Sequence, residues 1–139
     1  MINAQASVLY GIVADYKVGH PAILPSPPFL YLKVLEGGYG AGTKVEFAMT
    51  FFGKTNVEQA VVSEPEPGRI LKEQTVINPL TTYFKFEPKE TGCLVTIRSE
   101  LTRNKGIGGF LQMKLIKKLI HPVYRQELSK LALEAKKRS

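Results

Sequence analysis

The chain has one cysteine and two histidines among its 139 residues. With Cys93 alone, an internal disulfide bond is excluded. Its apolar neighbours Leu94 and Val95 predict a thiol packed inside a strand rather than a nucleophile. His20 and His121 lie far apart and, together with one cysteine, provide no zinc-binding spacing. No metal ion or other cofactor is therefore expected.

Long apolar runs are also missing. No segment approaches the roughly 20 apolar residues that cross a bilayer. The N-terminus lacks the basic flank and the apolar stretch of a secretory signal, so a cytoplasmic location is expected. The chain contains no internal repeat and no low-complexity tract. Its length fits one domain over residues 1–139, which is long enough to form a core without disulfide bonds.

Recognisable catalytic motifs are absent as well. The sequence has no serine, histidine and acid in the order that accompanies a nucleophile elbow. The glycine-rich segment 37–42 superficially resembles a phosphate-binding loop. It leads into a predicted strand, so the helix N-terminus that would hold a phosphate is missing.

Positive charge is concentrated near the C-terminus. The net charge is +7. From Arg103 onward the chain contains ten lysines and arginines but only two acidic residues, Glu127 and Glu134. Such asymmetry favours attraction to an anionic lipid, a nucleic acid or an acidic partner. The alternative is a solvated helix face whose terminal cations complement the helix dipole. No nucleic-acid-binding motif is present, so nucleic acid is not expected, whereas peripheral contact with an anionic membrane stays open.

The periodicity of apolar residues predicts a helix, a sheet and a long final helix. Residues 8–16 form a helical stretch that a proline-rich segment ends. Alternating apolar and polar residues then predict strands over 29–36, 42–53, 54–63, 69–77, 81–87 and 93–102. Short turns between them favour an antiparallel meander. Residues 107–138 have apolar positions three or four apart, which predicts a basic amphipathic helix about 45 Å long lying across the sheet. The apolar stripe of this helix consists of Phe110, Met113, Ile116, Ile120, Tyr124, Leu128 and Leu131.

Several segments resemble a known superfamily. Residues 2–15 are similar to the "INAPAEKVFAVVAD" opening of the START-like (SRPBCC) polyketide cyclase/dehydrase superfamily, which includes the birch-pollen-allergen-like proteins. Residues 36–43 resemble its "GGxGxGT" turn, residues 92–97 its "GTxVT" strand, and residues 127–131 the end of its C-terminal helix. The resemblance implies an α+β helix-grip fold, in which a curved antiparallel sheet wraps around the C-terminal helix. It covers nearly the whole chain, but its motifs are turn and packing signatures.

The start of the chain departs from this pattern. Members of the superfamily usually carry a full β-strand before the "INAPA" segment, whereas here only Met1 and Ile2 precede Asn3. The first strand is therefore expected to be short or absent. A sheet without it exposes an unpaired edge, which predicts a homodimer formed through that edge.

The resemblance implies a ligand pocket between the sheet and the last helix. Such pockets are mostly apolar with a few polar groups. The inward strand faces and the helix nominate Tyr16, Val45, Phe47, Met49, Phe51, Leu71, Glu73, Thr75, Thr82, Phe84, Phe86, Phe110, Met113 and Ile116 as ligand-binding residues. Each residue by itself is better explained as ordinary core, whereas the set as a group is the better candidate because the implied fold leaves space among its members.

Glu73 and His20 are the candidates for acid–base chemistry. Strand parity places Glu73 on the inward face with Leu71 and Thr75, and burial would raise its pKa toward that of a useful acid or base. His20 is expected near the pocket mouth, where a histidine transfers protons near neutral pH. The alternatives are a solvated carboxylate and a structural or exposed histidine.

Three functions follow from these observations. The first is binding or transport of a hydrophobic small molecule, such as a lipid, a quinone or a polyketide-like compound. The second is a cyclase or dehydratase that uses Glu73 or His20 as its acid or base. The third is an interaction module that contacts a membrane or the translation machinery through the basic helix. Only one or two ionisable groups are candidates for the pocket, which favours binding over catalysis.

Overall fold

The computed structural model describes residues 1–26, 28–51, 53–76, 80–101 and 107–138, with the backbone alone for residues 51, 101 and 107–120. Within these residues the helices are α1 (Ala6–Ala14), α2 (Gly19–Ile23) and α3 (Ile107–Lys137). The strands are β1 (Phe29–Glu36), β2 (Lys44–Phe51), β3 (Lys54–Glu66), β4 (Ile70–Thr75), β5 (Leu80–Lys89) and β6 (Gly92–Leu101).

The six strands form one antiparallel sheet in sequence order. Side chains alternate between its faces, so Thr82, Phe84 and Phe86 of β5 are all buried while their neighbours are less so. With α3 as the C-terminal helix, this is the α+β helix-grip architecture that the sequence predicts. The observed strand order confirms the predicted meander. Short turns favour antiparallel pairing because a parallel pair needs a long crossover connection.

β3 is longer than predicted. The sequence places its end at Ser63, before Pro65, which has no N–H to donate. The strand instead continues to Glu66, with a register shift between Ser63 and Glu66 opposite β4. An irregularity of this kind accommodates a proline and bends the strand.

The two short helices close one end of the sheet. Leu9, Ile12 and Val13 of α1 belong to the same buried cluster as Leu71 and Phe86 of the sheet. Helix α2 contacts both α1 and α3. Gly19, His20 and Ile23 of α2 are buried, whereas Ala22 is exposed.

The glycine-rich turn between β1 and β2 holds the end of α1. The Gly40 N–H donates to the Ala14 carbonyl at 3.0 Å. Gly40 has φ of 63°, and a Cβ there would lie 2.3 Å from Glu64 Oε1. The Glu64 carboxylate accepts hydrogen bonds from the Tyr10 hydroxyl at 2.6 Å and the Ala41 N–H at 2.7 Å. This turn therefore has a structural role.

The segment ahead of α1 pairs with the sheet at one isolated bridge. Ile2 pairs with Cys93 on β6 through two backbone hydrogen bonds of 2.8 Å each. The Cys93 side chain is fully buried, which confirms the packed thiol, and burial raises its pKa. Beyond this bridge β6 is the last strand in the order of the sheet. Dimerisation through that edge stays a prediction.

Candidate functional site

A cavity lies between the inner face of the sheet, α2 and the C-terminal half of α3. It contains about 620 Å³ of empty space, part of which is open to solvent. Among the described side chains its wall consists of His20, Leu24, Phe29, Leu32, Val45, Phe47, Met49, Ala60, Glu73, Thr75, Leu80, Thr82, Phe84, Val123, Tyr124 and Glu127. Most of these are apolar, and several of the polar ones take part in the contacts described below.

The first polar contact joins Tyr16, Glu73 and His20. The Tyr16 hydroxyl donates a hydrogen bond to Glu73 Oε2, across 57 residues of sequence. His20 Nε2 lies 3.6 Å from the same carboxylate oxygen. The imidazole stacks on the Tyr16 ring at 4.3 Å between centroids and meets the edge of Phe84 at 5.7 Å. Both rings are therefore fixed in place around the carboxylate.

The backbone determines which nitrogen of His20 exchanges its proton. His20 Nδ1 lies 2.7 Å from the Val13 carbonyl oxygen, which can only accept a hydrogen bond. Nδ1 must therefore carry a hydrogen, and any proton that the ring gains or loses is on Nε2. Nε2 faces the Glu73 carboxylate at 3.6 Å, slightly beyond hydrogen-bond distance.

Burial and charge act on Tyr16. Its pKa is raised well above its usual value, first because the hydroxyl is buried and then because the Glu73 charge opposes a phenolate. Tyr16 therefore stays protonated and serves as a hydrogen-bond donor to Glu73.

Strand register extends the polar wall across the sheet. Glu73 is paired with Thr82 on β5, and Thr82 with Ser99 on β6. The Thr82 and Ser99 hydroxyl oxygens are 2.9 Å apart, and Ser99 is hydrogen-bonded to the Tyr124 hydroxyl of α3. Burial is the main reason that the pKa of Tyr124 rises to about 12. One polar row thus crosses three strands and ends on the helix.

Glu127 is the other carboxyl group of the wall. It lies on α3 and is 3% exposed. Its Oε2 has no hydrogen-bond partner among the described residues. The pKa of this carboxyl is raised well above the usual value, first by burial and then by the charge of Glu73. The cavity therefore holds two carboxyl groups in different environments.

The structure brings many of the predicted residues into the wall. These are His20, Val45, Phe47, Met49, Glu73, Thr75, Thr82 and Phe84. Tyr16 is instead fully buried behind Glu73, and Leu71 and Phe86 lie in the closed core against α1. The predicted Phe51, Phe110, Met113 and Ile116 lie outside the described side chains.

His20 does not lie at a pocket mouth, where the sequence predicts it. It is 2% exposed, because α2 is packed between α1 and α3. The nearby prolines favour an open loop, whereas the chain forms a short helix there. The imidazole is therefore shielded from water beside Glu73.

Sequence reasoning missed Tyr124 and Glu127 as site residues. In the described part of α3 the buried side chains are Val123, Glu127, Leu131 and Ala135, four residues apart. The predicted apolar stripe instead passed through Tyr124 and Leu128, which are half-buried. A signal was present, since Glu127 lies four residues from both Val123 and Leu131, which places it on their face.

The described residues contain no group of three or more histidine, cysteine, aspartate and glutamate side chains arranged to hold a metal ion. In the same part of the chain no helix combines the length and hydrophobicity needed to cross a membrane.

Comparison with known proteins agrees with this architecture. Residues 1–136 match the family described as polyketide cyclase/dehydrase and lipid transport. The solution structure of the KanY protein superimposes with a TM-score of 0.84 at 24% identity, covering 97% of this chain and 92% of that one. The crystal structure of TTHA0849 from Thermus thermophilus gives 0.68 at 22% identity, with coverages of 99% and 94%.

A more distant structure has the same fold. The crystal structure of Ara h 8.0201 gives a TM-score of 0.60 at 11% identity, covering 94% of this chain and 93% of that one. No curated protein sequence matches this chain significantly. At these identities the structural likeness shows a shared fold.

Proposed function

Because the chain belongs to the polyketide cyclase/dehydrase and lipid transport family, we propose that it binds a hydrophobic small molecule in the cavity between the sheet and α3. One observation carries the proposal. The cavity has apolar side chains over most of its wall and a connected polar row on the rest, which is the usual composition of a small-molecule site. A tightly closed core would leave no such space.

The energetics favour an apolar ligand with a polar end. Each methylene group buried against Phe29, Phe47 or Met49 contributes about 0.8 kcal/mol. Glu73, Thr82 and Tyr124 then provide hydrogen-bonding positions that orient the molecule. Affinity thus depends on the apolar part and orientation on the polar row.

Extraction of the purified protein tests this proposal. The protein is denatured, and the extract is analysed by mass spectrometry for apolar small molecules that co-purify with it. We expect a lipid, quinone or polyketide-like compound at close to one molecule per chain. The matched control is the Met49→Trp variant, in which the cavity is filled. Equal amounts of the same compounds from both proteins would contradict binding in the cavity.

A second function is supported by the contact between His20 and Glu73. A carboxylate and an imidazole whose Nε2 faces it form an acid–base pair at the wall of a cavity. Such a pair suits a cyclase or dehydratase, which moves protons on a bound substrate. Binding remains the first proposal because the apolar wall supports it without any chemical step.

The Glu73→Gln substitution separates the two functions. It keeps the shape of the side chain and removes its charge. For a carrier we expect the affinity for the extracted compound to change by less than about fivefold, since one neutral hydrogen bond replaces a charged one. Affinity is measured by isothermal titration calorimetry. The control is Glu46→Gln, because Glu46 pairs with Tyr31 away from the cavity.

If the protein is an enzyme, the same variant should behave differently. Turnover of the extracted compound would fall by about two orders of magnitude or more while its affinity was preserved. That outcome would replace the carrier with the cyclase or dehydratase.

The interaction module receives less support from the described cations. Lys137 and Arg138 at the end of α3 both pair with Glu134. Such pairs are typical of a solvated helix end. A membrane or protein partner for the basic helix therefore stays a prediction.

A further inference from the structure

The carboxyl group of Glu127 has an unusual position. It projects from α3 into the cavity wall, is almost fully buried, and has an oxygen without a hydrogen-bond partner among the described residues. A buried polar atom of this kind is costly unless something satisfies it. The open side of Glu127 is the cavity itself.

The groups that face Glu127 favour its neutral form. Glu73 on β4 raises the pKa of Glu127 by its charge, in addition to the larger effect of burial. Tyr16 and Tyr124 are close enough for the charge of Glu127 to act on their own pKa values, and both are raised. His20 lies on the same cavity but is directed at Glu73. A neutral Glu127 carries an O–H that can donate a hydrogen bond.

The two carboxyl groups thus differ in what they offer a ligand. Glu73 already accepts a hydrogen bond from Tyr16 and lies beside His20, so its ionised form has partners. Glu127 Oε2 has no partner among the described residues, and the neutral carboxyl group can present a donor to the cavity. When environments separate two carboxyl groups in this way, they take different roles.

Building on the proposed binding function, we infer that the carboxyl group of Glu127 donates a hydrogen bond to a carbonyl oxygen of the ligand. The site therefore takes neutral apolar compounds that carry a ketone or quinone carbonyl, in preference to carboxylates. A carbonyl oxygen accepts a hydrogen bond and has no hydrogen of its own that needs a partner. A carboxylate would be repelled by Glu73 on the same wall.

Three probes of matched shape test this inference. They are 2-acetylnaphthalene, 2-isopropenylnaphthalene, in which a methylene replaces the carbonyl oxygen, and 2-naphthoate. Their dissociation constants are measured by ligand-observed NMR. We expect the ketone to bind roughly tenfold more tightly than the alkene, as one buried hydrogen bond supplies. The naphthoate is expected to bind most weakly of the three.

Two variants of Glu127 assign the preference to this residue. Glu127→Leu removes the donor and replaces a buried acid with an apolar group, so the fold is expected to persist. Its affinity for the alkene should be kept, and the preference for the ketone should disappear. Glu127→Gln retains an N–H donor and should keep most of that preference.

The infrared band of the ligand's ¹³C-labelled carbonyl should lie at lower frequency in the wild type than in Glu127→Leu.

The preference should also depend on pH. Glu127 donates only while it is protonated, so the ketone preference is present below its raised pKa and declines as pH rises through that value. Glu127→Gln does not titrate, and its preference should be constant with pH. Glu73 and His20 are present in both proteins, so the comparison isolates Glu127.

The possible outcomes separate this inference from the binding function. Equal affinities for ketone and alkene, or a preference that survives in Glu127→Leu, would overturn the hydrogen bond and leave the cavity as a binding site. Tightest binding of the naphthoate would overturn the choice of neutral compounds. Failure of all three probes to bind the wild type would contradict the binding function together with the inference.

Discussion

Replacement of Met49 by tryptophan is expected to abolish ligand binding while the protein stays folded. Met49 lies on β2 and contributes to the cavity wall, and its side chain is only half-buried. A larger aromatic ring at this position occupies the space that the ligand needs. We expect the affinity for 2-acetylnaphthalene or for the extracted compound to fall at least about a hundredfold, or roughly 2.7 kcal/mol. Isothermal titration calorimetry measures the loss.

A matched variant distinguishes a filled cavity from general damage. Val57 lies on β3 with 51% of its surface exposed, opposite Ala48, the neighbour of Met49. Val57→Trp should bind the same ligand normally. Since the natural chain has no tryptophan, each variant also carries one fluorophore. Its emission should indicate an apolar environment for Met49→Trp and a solvated one for Val57→Trp. Unchanged affinity in Met49→Trp would place ligand binding outside this cavity.

Gly19→Ala is expected to be the most destabilising of the substitutions considered. A Cβ at Gly19 would lie 2.4 Å from the Ile12 carbonyl oxygen and 3.0 Å from its Cα, and these are backbone atoms that cannot turn aside. Helix α2 would have to move away from α1. Overpacking of this kind costs about 1–3 kcal/mol. We expect the melting temperature to fall by roughly 5–10 °C, measured by circular dichroism.

Gly11→Ala is the control for that result. Gly11 lies inside α1, and a Cβ there would meet only the Tyr39 hydroxyl oxygen at an ordinary 3.8 Å. Alanine is favoured over glycine in a helix interior by about 0.5–1 kcal/mol. Gly11→Ala should therefore be neutral or slightly stabilising. Equal melting temperatures for the two variants would show that the close approach of α2 to α1 is not required.

The approach at Gly19 also bears on the site. It brings His20 within 2.7 Å of the Val13 carbonyl oxygen, which fixes the imidazole beside Glu73. The Gly19→Ala variant is therefore expected to bind ligand more weakly than the wild type and to have a less stable fold.

Much of the fold was predictable from the sequence. Alternation of apolar and polar residues is a local signal, and it located six strands in an antiparallel meander. It misplaced the end of β3, because a proline normally ends a strand and here a register irregularity accommodates Pro65. Parity also placed Glu73 on the inner face of β4, where it lines the cavity.

The helix side of the site was harder to predict. Several apolar residues of the final helix fit more than one helical stripe. The predicted stripe contains Tyr124 but not Val123, which is buried in the structure. Sequence reasoning did not predict Glu127 as a site residue. The fold buries Glu127 because its position along the helix faces the cavity.

The sequence by itself determined the order of α1, the six strands and α3, the inward faces of β2, β4 and β5, and the family to which the chain belongs. Only the tertiary structure decided that His20, Glu73 and Glu127 line one cavity, with Tyr16 buried behind Glu73. Periodicity describes residues a few positions apart, whereas the contact between Tyr16 and Glu73 spans 57 positions. Such a contact depends on strand register and on the packing of α2 against α1. These follow from how all the buried surfaces fit together, which no local pattern contains.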